Sequence, residues 1–189
     1  MSEHVKALPA QGTTNESAAA GISWRDFLEL TKPTVVAMMI LTSVIGMLLA
    51  TPGVPGWEVM LYGNLGIALL AGAAAVVNHV VDQKIDTVMA RTRKRPVATG
   101  KISPLDALLF ATVLAVAGMV ILVWQVNALT AWLTLASLVG YAGVYTLFLK
   151  RMTPQNIVIG GLAGAMPPLL GWTAVTGQVE GHALLLRPG

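Results

Sequence analysis

Cysteine is absent from all 189 residues. That excludes disulfides, zinc–thiolate sites, iron–sulfur clusters and thiol catalysis. Charge is scarce as well. Asp, Glu, Lys and Arg make up 11% of the chain, against about 25% in an ordinary soluble domain. With 55% hydrophobic residues and a mean hydropathy of +0.71, this scarcity points to an integral membrane protein. The three histidines show no zinc-ligand spacing.

Five apolar runs approach the ~20 residues that a spanning helix needs. They are Pro33 to Ala50, Trp57 to Val81, Leu105 to Val126, Leu129 to Leu149 and Asn156 to Val175. Pro33 suits a first helical turn, and Ser103-Pro104 is a helix-start signal. A sixth run begins at His182 and stops at Arg187-Pro188-Gly189. The expected fold class is all-α: a polytopic transmembrane helical bundle. Residues 1–22 are polar and small, without a signal-peptide pattern, and read as a disordered tail. Residues 23–186 form the membrane domain, and 187–189 are an aberrant end.

The links between runs assign sides. Lys and Arg are missing from 51–56, 127–128 and 176–181. They gather before the first run (Lys6, Arg25, Lys32), between the second and third (Lys84 to Lys101), and between the fourth and fifth (Lys150, Arg151). The positive-inside rule then places the N-terminus and the 82–101 link in the cytoplasm. In a mitochondrial membrane the same side is the matrix. In the fifth run, Gly160, Gly161 and Gly164 permit close helix approach, and Pro167-Pro168 predicts a bend.

One constellation carries chemistry. Asn78, Asp82 and Asp86 repeat at four-residue spacing, so their side chains project from one helical face. A solvated helix end would explain two interfacial acids, but Asn78 lies inside the apolar run, where a polar group needs a partner. Hard oxygen donors on one face suit Mg²⁺, which takes one or two carboxylates plus substrate phosphates. Arg91, Arg93, Lys94 and Arg95 follow. Such cations can be topology signals alone. They also suit a multiply charged anion, since Arg binds phosphate oxygens through paired hydrogen bonds. The run is too short, and too close to a membrane, for a nucleic-acid surface to be expected. Metal-held diphosphate at the mouth of an apolar bundle predicts a lipid diphosphate as donor.

The ladder Asn78-x-x-x-Asp82-x-x-x-Asp86 resembles the first aspartate-rich motif of the UbiA-type intramembrane prenyltransferases. Met89 to Val97, Tyr145 to Gly161 and Ala163 to Ala174 resemble, in order, the branch of that family that farnesylates protoheme IX. The resemblance covers roughly Leu30 to Gly181. It implies transfer of a farnesyl group from farnesyl diphosphate to a vinyl group of protoheme IX, giving haem O, in a bacterial inner membrane. Asn78, Asp82 and Asp86 would organise Mg²⁺ and diphosphate. Arg91 and Arg95 would bind diphosphate, and Lys150 and Arg151 would contact diphosphate or the haem propionates. Haem is then a substrate, and none of His4, His79 and His182 is assigned as its ligand. Membrane lipid, and a haem-modifying or oxidase-assembly protein, are the further expected partners.

The chain departs from the family pattern in its later part. The resemblance implies nine helices and a second aspartate motif. Here about five spans are expected, and Asp106 stands singly. A truncated enzyme, inactive for lack of half the diphosphate site, is the corresponding expectation. An aromatic acceptor such as 4-hydroxybenzoate, or a non-catalytic membrane fragment, remain alternatives. A channel or transporter is disfavoured by charge-poor first and third runs.

Overall fold

The computed structural model describes residues 22–86, 96–97, 99–140 and 156–177, with side chains at 22–83, 96–97, 99–140 and 165–177. All regular structure among the described residues is helical. The helices are α1 (Trp24–Leu30), α2 (Pro33–Leu49), α3 (Trp57–Asp86), α4 (Pro104–Gln125), α5 (Ala128–Val139) and α6 (Asn156–Thr176). Each of the five expected spanning runs contains a helix, and the sixth run, from His182, lies outside the described residues. The expected remainder of the fourth run beyond residue 140 lies outside the described residues. Trp57–Gln83 and Pro104–Gln125 are long and apolar enough to cross a membrane, and α1 with α2 forms a third such unit bent by 53°.

Helix α1 was not expected from the hydrophobic pattern, because it is short and charged. Local capping creates it. The Ser23 amide donates to Asp26 Oδ2 at 2.8 Å, and the Arg25 amide donates to Ser23 Oγ at 3.4 Å. These contacts satisfy donors that a helix start leaves open. Arg25, Asp26 and Glu29 keep it out of the hydrocarbon layer, while Leu30 is fully buried. Lys32 then turns the chain, and Pro33 opens α2.

Helix α3 has 30 residues and is therefore about 45 Å long. The hydrocarbon layer is only about 30 Å thick. A helix that starts at an interfacial Trp57 must carry its last turns beyond that layer. Asn78, Asp82 and Asp86 sit in those turns. The two acids expected in a link are thus carried on α3 itself.

Glycine sets two of the helix crossings. At α3–α4, a Cβ on Gly118 would lie 2.9 Å from the Gly66 carbonyl oxygen. At α2–α6, Gly46 meets the Pro168 backbone and Gly171 meets the Ser43 backbone. Without side chains, the backbones approach to contact and gain dispersion along the crossing. Outward faces remain apolar. Leu41, Ile45 and Leu48 form one exposed stripe, and Leu109, Val113, Val116 and Val120 another. Their three- and four-residue spacing puts each set on a single helix face.

At the end away from the ladder, Asn127 joins two helices. Its Oδ1 accepts from the Thr130 amide at 2.8 Å, capping α5. Its Nδ2 donates to the carbonyls of Thr173 (3.0 Å) and Ala174 (3.3 Å), in the last turn of α6. One side chain thus caps α5 and ties it to the last turn of α6, where the Thr173 carbonyl also accepts from the Gly177 amide at 2.9 Å. Asn127→Ala is expected to lower stability by about 2 kcal/mol, combining a lost cap with lost hydrogen bonds between α5 and α6. Denaturant unfolding in detergent measures it.

Candidate active site

Along α3 the four-residue ladder starts earlier than the polar residues. Leu70 and Ala74 line a cavity of about 400 Å³. Asn78 and Asp82 continue the same progression, 7% and 5% exposed. They are buried one and two turns beyond Ala74, the lining residue of this progression nearest to them. Asp86 continues α3 as backbone. Its side chain lies outside the described residues, as do Arg91, Arg95, Lys150 and Arg151.

The chamber is walled by α2, α3, α5 and α6, including Pro167 of the Pro-Pro pair. Its hydroxyls are turned to their own helices. Thr42 Oγ1 donates to the Met39 carbonyl at 3.0 Å, Thr134 Oγ1 to Thr130 at 2.6 Å, and Ser137 Oγ to Leu133 at 2.8 Å. With their donors spent on backbone, these side chains add little polarity. The space suits a hydrocarbon chain better than a polar ligand.

Lys32 also lines the chamber. Its φ of 52° and ψ of 64° are left-handed, and it is the one non-glycine residue with positive φ among the described residues. Such a conformation costs a side-chain-bearing residue about 1–3 kcal/mol, and strain of this kind gathers at functional sites. The sequence reading took Lys32 only as a topology charge. Its position directly before a helix-opening proline was the available signal, because proline displaces the preceding residue from the right-handed region.

The chain beyond the ladder returns to the bundle at residues 96–102. Gln83 Nε2 donates to the Val97 carbonyl at 3.2 Å. Val97 and Ile102 are buried with Leu30, Ala73, Val76, Ala107 and Ala111. Lys101 Nζ lies 2.8 Å from Asp26 Oδ2, tying this turn to α1. The Lys101 hydrogen bond, followed by the Ser23 amide, holds the Asp26 carboxyl below its ordinary 3.8. The depressed folded-state value means this contact stabilises the fold above the ordinary carboxylate range. That contribution disappears as pH falls through the lowered value. Unfolding midpoints of the parent and Asp26→Asn should therefore differ at neutral pH and converge in acid.

His79 is 4% exposed and lies outside the cavity lining. No group of three His, Asp or Glu side chains gathers among the described residues. Asn78 and Asp82 alone offer oxygen donors from one face. That set fits Mg²⁺ arriving with phosphate oxygens, which complete its shell, rather than a preformed protein cage.

Residues 39–187 match the UbiA prenyltransferase family. A Marinobacter nauticus protein called protoheme IX farnesyltransferase is 86% identical over 182 residues, covering 96% of this chain and 59% of that protein. A Hahella chejuensis protein of the same name is 66% identical over 176 residues, covering 93% and 58%. The chain thus spans rather more than half the length of these curated relatives. Two solved structures share the fold. Both are of a UbiA homolog from Archaeoglobus fulgidus, one bound to GPP and Mg²⁺ (TM-score 0.63, 17% identity, 81% of this chain and 54% of that chain). The other is bound to DMAPP and Mg²⁺ (TM-score 0.64, 16% identity, 81% and 55%).

Proposed function

Because the chain belongs to the UbiA prenyltransferase family, we propose that it binds farnesyl diphosphate with Mg²⁺ and serves farnesyl transfer to protoheme IX. Buried Asn78 and Asp82, following on α3 after the residues that line the apolar chamber, support the donor half of this reading. The names of the 86% and 66% identical relatives support the acceptor. They favour protoheme IX over an aromatic acid such as 4-hydroxybenzoate.

In this reading Asn78, Asp82 and Asp86 hold Mg²⁺, which when bound supplies charge neutralisation for a diphosphate. Lys32 at the chamber mouth, with Arg91 and Arg95, binds phosphate oxygens. The chamber takes the prenyl tail and excludes water from C1. The C1–O bond breaks and its electron pair leaves with diphosphate. C1 then bonds the terminal vinyl carbon of protoheme IX. Water adds at the neighbouring carbon and loses a proton, giving the hydroxyethylfarnesyl group. Lys32, Arg91 and Arg95 offset negative charge growing on the leaving group.

The basic links support a cytoplasmic side for Asn78 and Asp82, and the bacterial relatives support an inner membrane. The cysteine-free chain allows a direct test. Thr99→Cys should react with an impermeant maleimide only from the cytoplasmic side, and Val54→Cys only from the other. Function is tested by titrating the chain in nanodiscs with farnesyl diphosphate, with Mg²⁺ or with EDTA. Mg²⁺-dependent binding is expected, and its absence overturns the reading. Haem O formation with added protoheme IX tests whether the chain completes the transfer.

A further inference from the structure

A groove between α1 and α4 lies apart from the chamber, and we infer that it holds a membrane phospholipid with an ethanolamine head group. Ile22, Trp24 and Leu28 line its α1 side, and Asp106, Leu109 and Phe110 line its α4 side. Phe27 and Phe110 join the two walls edge to face, with ring centroids 5.1 Å apart. Two further contacts hold α1 against the bundle: fully buried Leu30 and the 2.8 Å ion pair of Lys101 with Asp26. The groove is therefore preformed rather than opened by its ligand.

The α4 wall is ordered by polarity. Asp106, Leu109, Val113, Val116 and Val120 recur at three- and four-residue intervals. One helix face therefore carries a carboxylate at its head and an apolar track behind it. Asp106 and Leu109 line the groove, and all four apolar residues of the track are exposed. Helical rise makes the track from Leu109 to Val120 about 16 Å long. One leaflet of a hydrocarbon layer about 30 Å thick is about 15 Å. The track is thus as long as the acyl region of a single leaflet, on the Asp82 side of the bundle.

Charge at the rim selects the head group. Arg25 is exposed, and its guanidinium carbon lies 5.9 Å from the Trp24 ring centroid. Stacking keeps the guanidinium beside the groove, and its planar N–H fork suits phosphate oxygens. Asp106 Oδ2 accepts from Ser103 Oγ at 2.8 Å. A carboxylate offers about four acceptor sites, so Asp106 can also take an ammonium. Asp26 is engaged by Lys101, and Glu29 lies outside the lining. An ethanolamine phospholipid presents both complements, a phosphate and an ammonium with N–H donors. A choline head has the cation but no N–H donor. A glycerol head has no cation for Asp106.

Native mass spectrometry tests this on the chain released from nanodiscs of equal phosphatidylethanolamine, phosphatidylcholine and phosphatidylglycerol. One retained ethanolamine lipid per chain is expected, favoured at least about tenfold over either competitor, as a charge-assisted hydrogen bond allows. Asp106→Asn keeps an acceptor for Ser103 and removes the charge. It should erase the preference over phosphatidylcholine while the melting midpoint stays. Arg25→Gln should lower retention of all three lipids, because each carries a phosphate. Equal retention by the parent, preference for phosphatidylglycerol, or a lipid-free dimer overturns the inference. So does an unchanged preference in Asp106→Asn or unchanged retention in Arg25→Gln. Where Asp106→Asn fails to fold, N-methylated ethanolamine lipids decide on the parent. Retention should fall as each N–H donor is replaced by methyl, and equal retention overturns the inference.

Discussion

Asp82→Asn is expected to reduce Mg²⁺-dependent farnesyl diphosphate binding by at least about a hundredfold while the melting midpoint is retained. The replacement keeps side-chain shape and removes one charge. Charge stabilisation by a bound metal amounts to several kcal/mol, and each 1.4 kcal/mol is a factor of ten in affinity. Stability should not follow affinity. Asp82 is 5% exposed, and a buried carboxylate carries a desolvation cost that an amide does not. Calorimetric titration with and without EDTA reads the first quantity, and a thermal melt reads the second. Equal binding by parent and variant would remove Asp82 from the site. A collapsed melting midpoint would instead make its role structural.

Gly171→Leu is expected to have the largest effect on the fold, about 3–5 kcal/mol of lost stability. A Cβ at this position would come 2.9 Å from the Ser43 carbonyl carbon and 3.1 Å from the Met47 amide nitrogen. Both obstacles are backbone, so no rotamer change relieves the clash. Ordinary overpacking costs about 1–3 kcal/mol, and larger losses belong to sites that cannot adjust. Helices α2 and α6, which both line the chamber, must separate. Gly56→Ala is the control: nothing lies within 4 Å of a Cβ there, and a change within about 0.5 kcal/mol is expected. Denaturant unfolding in detergent compares the two. A neutral Gly171→Leu would show that the crossing is not close-packed.

The membrane class and the helix positions were legible because their causes are local. Apolar runs of spanning length, a Ser-Pro helix start and proline at a first helical position are all properties of neighbouring residues. The Asn78–Asp82–Asp86 spacing was legible for the same reason, since helical geometry fixes which residues share a face. Family-level blocks then gave the donor and acceptor expectations. The sequence reading placed the close helix approach at Gly160 to Gly164, whose side chains lie outside the described residues. Among the described residues, the approach between α2 and α6 is made at Gly46 and Gly171. A small residue permits contact, but only the partner's position makes it.

By itself, then, the sequence determined that this chain is a helical membrane protein with two carboxylates and an amide aligned on one helix. Long-range packing set the burial of Asn78 and Asp82. Placement of Lys32 at the chamber mouth follows from the 53° turn between α1 and α2. The buried turn at Val97 and Ile102 depends on Gln83, Leu30 and Lys101–Asp26 meeting across long stretches of chain. The chamber's walls come from α2, α3, α5 and α6 together. Each of these is a contact between residues far apart in sequence. Helical periodicity fixes the direction of a side chain, whereas the neighbour it meets is chosen by packing of the whole bundle.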